Sequence, residues 1–147
     1  MDTTKTTLLL LVVVLMAQAC NVLQENNADD VVITLDKPFR LYVGETARLG
    51  DEFQITFENL AEDSRCPLGT VCIWEGEIEA AFRVTTNSTS QSLPFQGFVG
   101  AGGDAVLQQL IGQYGIELQR VQPYPGTDAA IDEDKSAMLV VSRVDIR

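Results

Sequence analysis

Apolar and polar residues alternate along much of the chain beyond residue 30. Alternation over four to eight residues is typical of β-strands with one buried face, and a run that is apolar on both phases is typical of a strand covered on both faces. Turn-forming glycine, proline, Asn and Asp separate these segments. The pattern predicts an all-β domain, an antiparallel β-sandwich or a small barrel. Its predicted strands are 31–35, 39–43, 53–58, 78–84, 114–118 and 137–146, the last of which is apolar on both phases through residues 139–141.

One segment, DAVLQQLIGQYG at 104–115, does not follow this alternation. Asp104 is a suitable N-cap for a short helix. Gly112 inside the segment and the strand pattern from Tyr114 onward weaken the case for that helix. The sequence leaves both structures open near 104–112. The helix would bury Val106, Leu107, Leu110 and Ile111.

The N-terminal region has the features of an export signal. Lys5 precedes the uninterrupted apolar run 8–16, and Ala17-Gln18-Ala19 supplies small residues before Cys20. A basic start, an apolar run of about 7–15 residues and an A-x-A site are typical of a secretory signal peptide. The run is shorter than the ~20 apolar residues that span a bilayer. We therefore expect residues 1–19 to be a signal peptide.

Two cleavage modes are open at Cys20. Signal peptidase would release a soluble protein, whereas the segment MAQAC at 16–20 resembles a bacterial lipobox that would acylate Cys20. Ala17 departs from that pattern, which usually has leucine there. The count of three cysteines favours the lipoprotein, because acylation of Cys20 leaves Cys66 and Cys72 as a pair in an oxidising compartment. We expect an exported, lipid-anchored protein of the cell envelope.

The rest of the chain divides into two parts. The polar and acidic sequence NVLQENNADD follows Cys20 and has too little apolar surface to order itself. Residues 20–30 are therefore predicted to be a lipidated N-terminus and a flexible tether. Residues 31–147 have the size of a single domain with its own core.

Cys66 and Cys72 are separated by five residues that include Pro67 and Gly69. Zinc sites use closer cysteines joined by further cysteine or histidine ligands, and the chain has no histidine. A thioredoxin-like centre needs C-x-x-C at the start of a helix. In an exported chain the spacing favours a structural disulfide across a turn. We expect neither a metal nor a cofactor.

The residues after Cys72 follow strand parity. Cys72, Trp74, Gly76 and Ile78 would share one face, so we expect Trp74 to pack into the core. Carboxylates can bind Ca²⁺, but the chain lacks the D-x-D-x-D-G loop, so solvated polar surfaces are favoured for its two acidic clusters. These clusters are Glu75, Glu77 and Glu79 on the opposite face, and Asp128, Asp132, Glu133 and Asp134.

The stretch from Asp63 to Gly76, DSRCPLGTVCIWEG, resembles a D-S-R-C-P-x(4)-C-x-W-x-G signature. Similar segments occur in a family of short bacterial exported proteins and lipoproteins. The resemblance extends to FRLYVGETA at 39–47, to YGIEL at 114–118 with PYP at 123–125, and to AMLVV at 137–141. It implies an exported β-domain with a bridged loop and brings no established activity.

Candidate chemistry points away from catalysis. Without histidine there is no Ser-His-Asp or Cys-His arrangement, and there is no G-x-S-x-G elbow. The net charge of −11 and the lack of a basic patch disfavour nucleic acid as a partner. We expect a non-enzymatic binding or structural module whose partners are the membrane, through its anchor, and another envelope protein or a glycan. The alternative is an inhibitor that presents loop 65–72 to a protease.

The bridged turn is the predicted site, because binding residues often lie on loops held by a rigid scaffold. The candidate partner-binding residues are Arg65, Pro67, Leu68 and Gly69. Two roles are open for Arg65. It can pair internally with Asp63 or Glu75, which its acidic neighbours favour, or face outward as an anchor for a carboxylate or sulfate.

Overall fold

The computed structural model describes residues 30–74, 76–87, 89–99, 107–126 and 135–145, which form nine β-strands and no helix. In this part of the chain, therefore, no helix could cross a membrane. The predicted signal peptide, Cys20 and most of the predicted tether lie outside the described residues. The strands are β1 (Val31–Val32), β2 (Pro38–Tyr42), β3 (Thr46–Leu49), β4 (Phe53–Asp63), β5 (Gly76–Thr86), β6 (Thr89–Val99), β7 (Leu107–Ile111), β8 (Tyr114–Gln122) and β9 (Ser136–Arg143).

The first sheet has five strands in the order β1-β3-β4-β5-β6. At its centre, β4 and β5 run antiparallel for 11 residues each, from the pair Phe53–Thr86 to the pair Asp63–Ile78. Only β1 departs from antiparallel pairing among these strands, because it lies parallel to β3. Strand β4 ends and β5 begins at one end of the molecule, which we name the loop end.

The second sheet has four antiparallel strands in the order β2-β9-β8-β7. Consecutive strands β2 and β3 belong to different sheets, so the chain crosses between the sheets at residues 43–45. The two sheets are not closed into a barrel, and the domain is a sandwich-like all-β fold. At its far end, opposite the loop end, the rings of Phe53 and Tyr114 lie 4.7 Å apart.

The core forms where the alternating side chains of the two sheets meet. Buried positions alternate with half-buried or exposed ones along most of β5 and in the first half of β4. Phe57 stacks on Phe82 at 4.7 Å, and Phe82 meets Phe95 edge to face at 5.5 Å. Burial of each ring stabilises the fold by roughly 1.5–3 kcal/mol. This aromatic row joins β4, β5 and β6, the three longest strands, on the buried face of the first sheet.

The predicted strands are present, with changed boundaries. The segment 31–35 contributes only the two residues of β1, and the final strand is Ser136–Arg143. The segment 104–112, for which helix and strand were both open, contains strand β7 at Leu107–Ile111. Leu110, which the helix would bury, is 70% exposed. Asp104 and Val106 lie outside the described residues.

Candidate functional site

The bridged loop comprises residues 64–74, between β4 and β5. A disulfide joins Cys66 and Cys72 as predicted, with their Cα atoms 5.9 Å apart. Between the cysteines the chain turns back, since the amide of Thr70 donates to the carbonyl of Pro67 at 3.2 Å. Gly69 adopts φ +78°, a left-handed conformation that glycine tolerates best. The loop is thus closed by one covalent bond and one tight turn.

Arg65 anchors the base of this loop. Its side chain is 3% exposed and meets Asp63 in a two-pronged pair, with Nε 2.7 Å from Oδ1 and Nη2 2.6 Å from Oδ2. Its remaining donors reach the carbonyls of Val121 at 2.8 Å and Pro123 at 3.0 Å. The guanidinium carbon also lies 4.6 Å from the ring centre of Tyr124. The hydrogen bonds between the Arg65 guanidinium and the Asp63 carboxylate are charge-assisted, and such bonds are strong and directional.

This geometry corrects one of the predicted roles. The guanidinium of Arg65 does not face solvent, so it is not an outward anchor for a partner. It pairs with Asp63, one of the two internal partners considered, while Glu75 lies outside the described residues. Arg65 links the end of β4 to the end of β8 and the residue that follows it, which are distant in sequence, and thereby holds the bridged loop against the second sheet.

A glycine lets the two strands at the loop end approach closely. A Cβ atom on Gly76 would lie 2.1 Å from the Cα of Arg65 and 2.8 Å from the carbonyl oxygen of Ser64. Backbone atoms cannot move aside as the end of a side chain can. Ser64 joins the two segments by hydrogen bonds. Its amide donates to the Glu77 carbonyl at 2.8 Å, and its hydroxyl accepts from the Glu77 amide at 3.0 Å.

The loop is also held at its other side. The amide of Leu68 donates to the carbonyl of Pro125 at 3.0 Å. A Cβ on Gly126 would come within 3.0 Å of the Pro67 side chain, which shows how closely the two segments pack. Disulfide, buried arginine and this contact together place the loop in a fixed orientation on the body of the domain.

The apolar tip of the loop faces solvent. We give this name to Leu68, Val71, Ile73 and Trp74, which are 54%, 96%, 100% and 61% exposed. The prediction that Trp74 packs into the core was wrong. Strand β5 begins only at Gly76, so strand parity does not extend back to residue 74. Trp74 is also outside the group of residues that pack on the core.

The other predicted site residues are distributed as follows. Pro67, Leu68 and Gly69 are exposed on the loop. Glu77 and Glu79 are half-buried on β5, whereas the acidic group at 128–134 lies outside the described residues. Within the ranges that the structure describes, no three His, Cys, Asp or Glu side chains are close enough together to hold a metal ion.

A crevice of about 320 Å³ lies beside the loop. Its walls include Leu60, Asp63, Tyr124 and Lys135. Both carboxylate oxygens of Asp63 already accept hydrogen bonds from Arg65. The crevice therefore has a mixed lining, with the apolar Leu60 and the Tyr124 ring beside the paired Asp63 carboxylate and the charged Lys135.

The sequence reasoning missed Val71 and Ile73, the two most exposed apolar residues of the tip. One signal was available, because residues 66–74 contain no charged side chain in a chain with a net charge of −11. Exposed apolar residues within a closed, uncharged loop are a stronger indication of a contact surface than the loop's arginine.

Comparison of this chain with protein-family models, with curated proteins and with solved structures found no match.

Proposed function

We propose that this protein is a non-enzymatic lipoprotein of the cell envelope that acts as a binding module, with the apolar tip as its contact surface. The observation that supports it is the exposure of four large apolar side chains on one rigidly held loop. Clustered exposed apolar residues mark interaction sites more often than isolated ones do.

The energetics of the tip favour binding. Full burial of an exposed large apolar side chain contributes roughly 1.5–3 kcal/mol. Because Leu68 and Trp74 are already partly buried, the four would contribute on the order of 5–9 kcal/mol before the costs of association. Ordering a flexible loop is one of those costs. The disulfide and the Arg65 contacts reduce it, because the loop is already held in one conformation.

The inhibitor alternative receives less support. A trypsin-like protease would need the Arg65 side chain in its specificity pocket, but that side chain is 3% exposed and bonded within the domain. The exposed residues of the loop are instead aliphatic and aromatic. We therefore favour a binding or structural module over a protease inhibitor.

The envelope location rests on the sequence of the N-terminus and on the disulfide, which is typical of oxidising compartments. Its test is the intact mass of the exported chain. We expect a mass above that of the chain from Cys20 by a diacylglycerol and usually an amide-linked acyl group. A mass equal to that of the bare chain would refute the lipid anchor.

The contact surface is tested by site-specific photo-crosslinking in cells. A photoreactive residue at position 73 should form adducts with a neighbouring molecule, whereas the same residue at position 110 should form none. Leu110 is a matched control, because it is 70% exposed and apolar but lies toward the far end of the sandwich. Equal labelling from both positions, or none from position 73, contradicts the proposed binding surface.

A further inference from the structure

We infer that the apolar tip rests in the surface of the membrane that anchors the chain, among lipid headgroups and the first part of the acyl chains. This inference rests on the proposed function, since it names what the proposed contact surface binds. Three observations support it: the direction in which the chain enters the domain, the length of chain before it, and the chemistry of the tip.

The first strand of the domain runs away from the loop end. Strand β3 runs toward the far end, because Thr46 pairs with Thr56 and Leu49 with Phe53 at the start of β4. Strand β1 is parallel to β3 and runs the same way. Asp30, the first described residue, therefore lies on the loop-end side of β1, although β1 itself is nearer the far end.

The segment between Cys20 and the domain is long enough to let the lipid anchor reach the level of the loop end. Val31 is level with Val84 of β5 through the pairs with Ala47 and Ile55. From Val84 to the start of β5 at Gly76 the distance is about 27 Å, at ~3.4 Å per residue. The 11 residues 20–30 span at most about 36–40 Å. A lipid on Cys20 and the apolar tip can thus reach the same plane.

The side chains of the tip suit a lipid interface. Tryptophan is enriched where headgroups meet acyl chains, because its ring is apolar and its indole N–H is polar. Leu68, Val71 and Ile73 supply further apolar surface, and no residue from 66 to 74 is charged. Because the loop needs to enter only the interfacial layer, its turn amides can stay hydrated.

The charge of the protein predicts which lipids it prefers. The chain carries a net charge of −11, and Glu62, Glu77 and Glu79 lie near the base of the loop. An anionic surface would repel these groups at low ionic strength, whereas a zwitterionic surface would not. We expect insertion into phosphatidylcholine vesicles to exceed insertion into phosphatidylglycerol vesicles, and added salt to reduce the difference.

The single tryptophan makes the test direct, since selectively excited tryptophan emission reports only on Trp74. The full lipidated chain is reconstituted into phosphatidylcholine vesicles with and without bromine on the acyl chains. We expect Trp74 emission to shift to shorter wavelength and to lose intensity with the brominated lipid. In the control, Trp74→Phe combined with Leu110→Trp moves the fluorophore toward the far end, and bromine should have no effect.

Equal Trp74 emission in brominated and plain vesicles overturns the inference. An emission shift that increases with the amount of protein per vesicle and is the same with and without bromine would mean that the tip binds a second copy of the chain. That result also overturns the inference. The photo-crosslink at position 73 distinguishes failure of the membrane contact from failure of the proposed binding module. Lipid adducts support both proposals, protein adducts leave the binding module standing without its membrane contact, and absence of any adduct removes both.

Discussion

Replacement of Arg65 by alanine should destabilise the domain more than loss of any other charged side chain at the loop end. The substitution removes the four hydrogen bonds that the guanidinium donates to Asp63, Val121 and Pro123. It leaves one carboxylate and two carbonyl groups without these donors. Breaking a buried ion pair by removing one partner typically costs about 3–5 kcal/mol.

For Arg65→Ala we expect a loss of unfolding free energy in the lower part of that range. The Asp63 side chain is 18% exposed, so water can hydrate part of its carboxylate once the arginine is gone. We therefore expect Arg65→Ala to lower the free energy of unfolding by about 3–4 kcal/mol. For a domain of this size that corresponds to a fall in Tm on the order of 10–15 °C.

The assay is urea unfolding followed by far-UV circular dichroism. Tryptophan emission is a poor reporter, because Trp74 is already 61% exposed in the folded state. Arg83→Ala is the matched control. Arg83 pairs with Glu58, but its side chain is 56% exposed, and exposed pairs contribute roughly 0–1 kcal/mol.

A double variant separates the ion pair from the carbonyl contacts. If the Asp63–Arg65 pair carries the effect, the combined change Asp63→Ala and Arg65→Ala should cost less than the sum of the single changes. The reasoning is refuted if Arg65→Ala and Arg83→Ala have the same stability. It is also refuted if the single costs simply add, because the pair would then make no contribution of its own.

Two further predictions concern the same loop. Gly76→Ala should destabilise the domain toward the upper end of about 1–3 kcal/mol, because the new methyl group meets the backbone of Arg65. Gly97→Ala should destabilise it less, because its methyl group meets a leucine side chain. Equal urea midpoints for the two variants would contradict this difference. Replacing both Cys66 and Cys72 with serine should lower the free energy of unfolding by about 2–3 kcal/mol on the chain-entropy model, and unchanged stability would show that the disulfide does not constrain the loop.

Local pattern was sufficient to predict the strands whose burial alternates. Segments such as 53–58 and 78–84 place every second side chain in the core, and period-two burial is a property of an isolated strand. The disulfide was predictable for a similar reason. Two cysteines separated by a short turn can meet whatever the rest of the fold is, and an odd count leaves few pairings.

Strands β3 and β6 were not predicted, because pairing rather than pattern defines them. In β6 the sequence TSQSLPFQGFV contains a proline and a glycine, and from Thr89 to Gly97, where side-chain burial is described, Leu93 and Phe95 are in the buried core. It is a strand because each of its residues, from Thr89 to Val99, pairs with one on β5. The segment 107–111 is likewise strand β7 because β8 offers it a partner.

At the candidate site, the sequence by itself determined that an uncharged, disulfide-closed loop with one tryptophan lies between two strands. Only the tertiary structure decided which of its residues face solvent. Arg65 is buried because the carbonyls of Val121 and Pro123, more than 50 residues away, accept its hydrogen bonds. Trp74 is exposed because β5 begins two residues later and strand parity does not reach it. Both outcomes depend on contacts and strand ends that no local pattern contains.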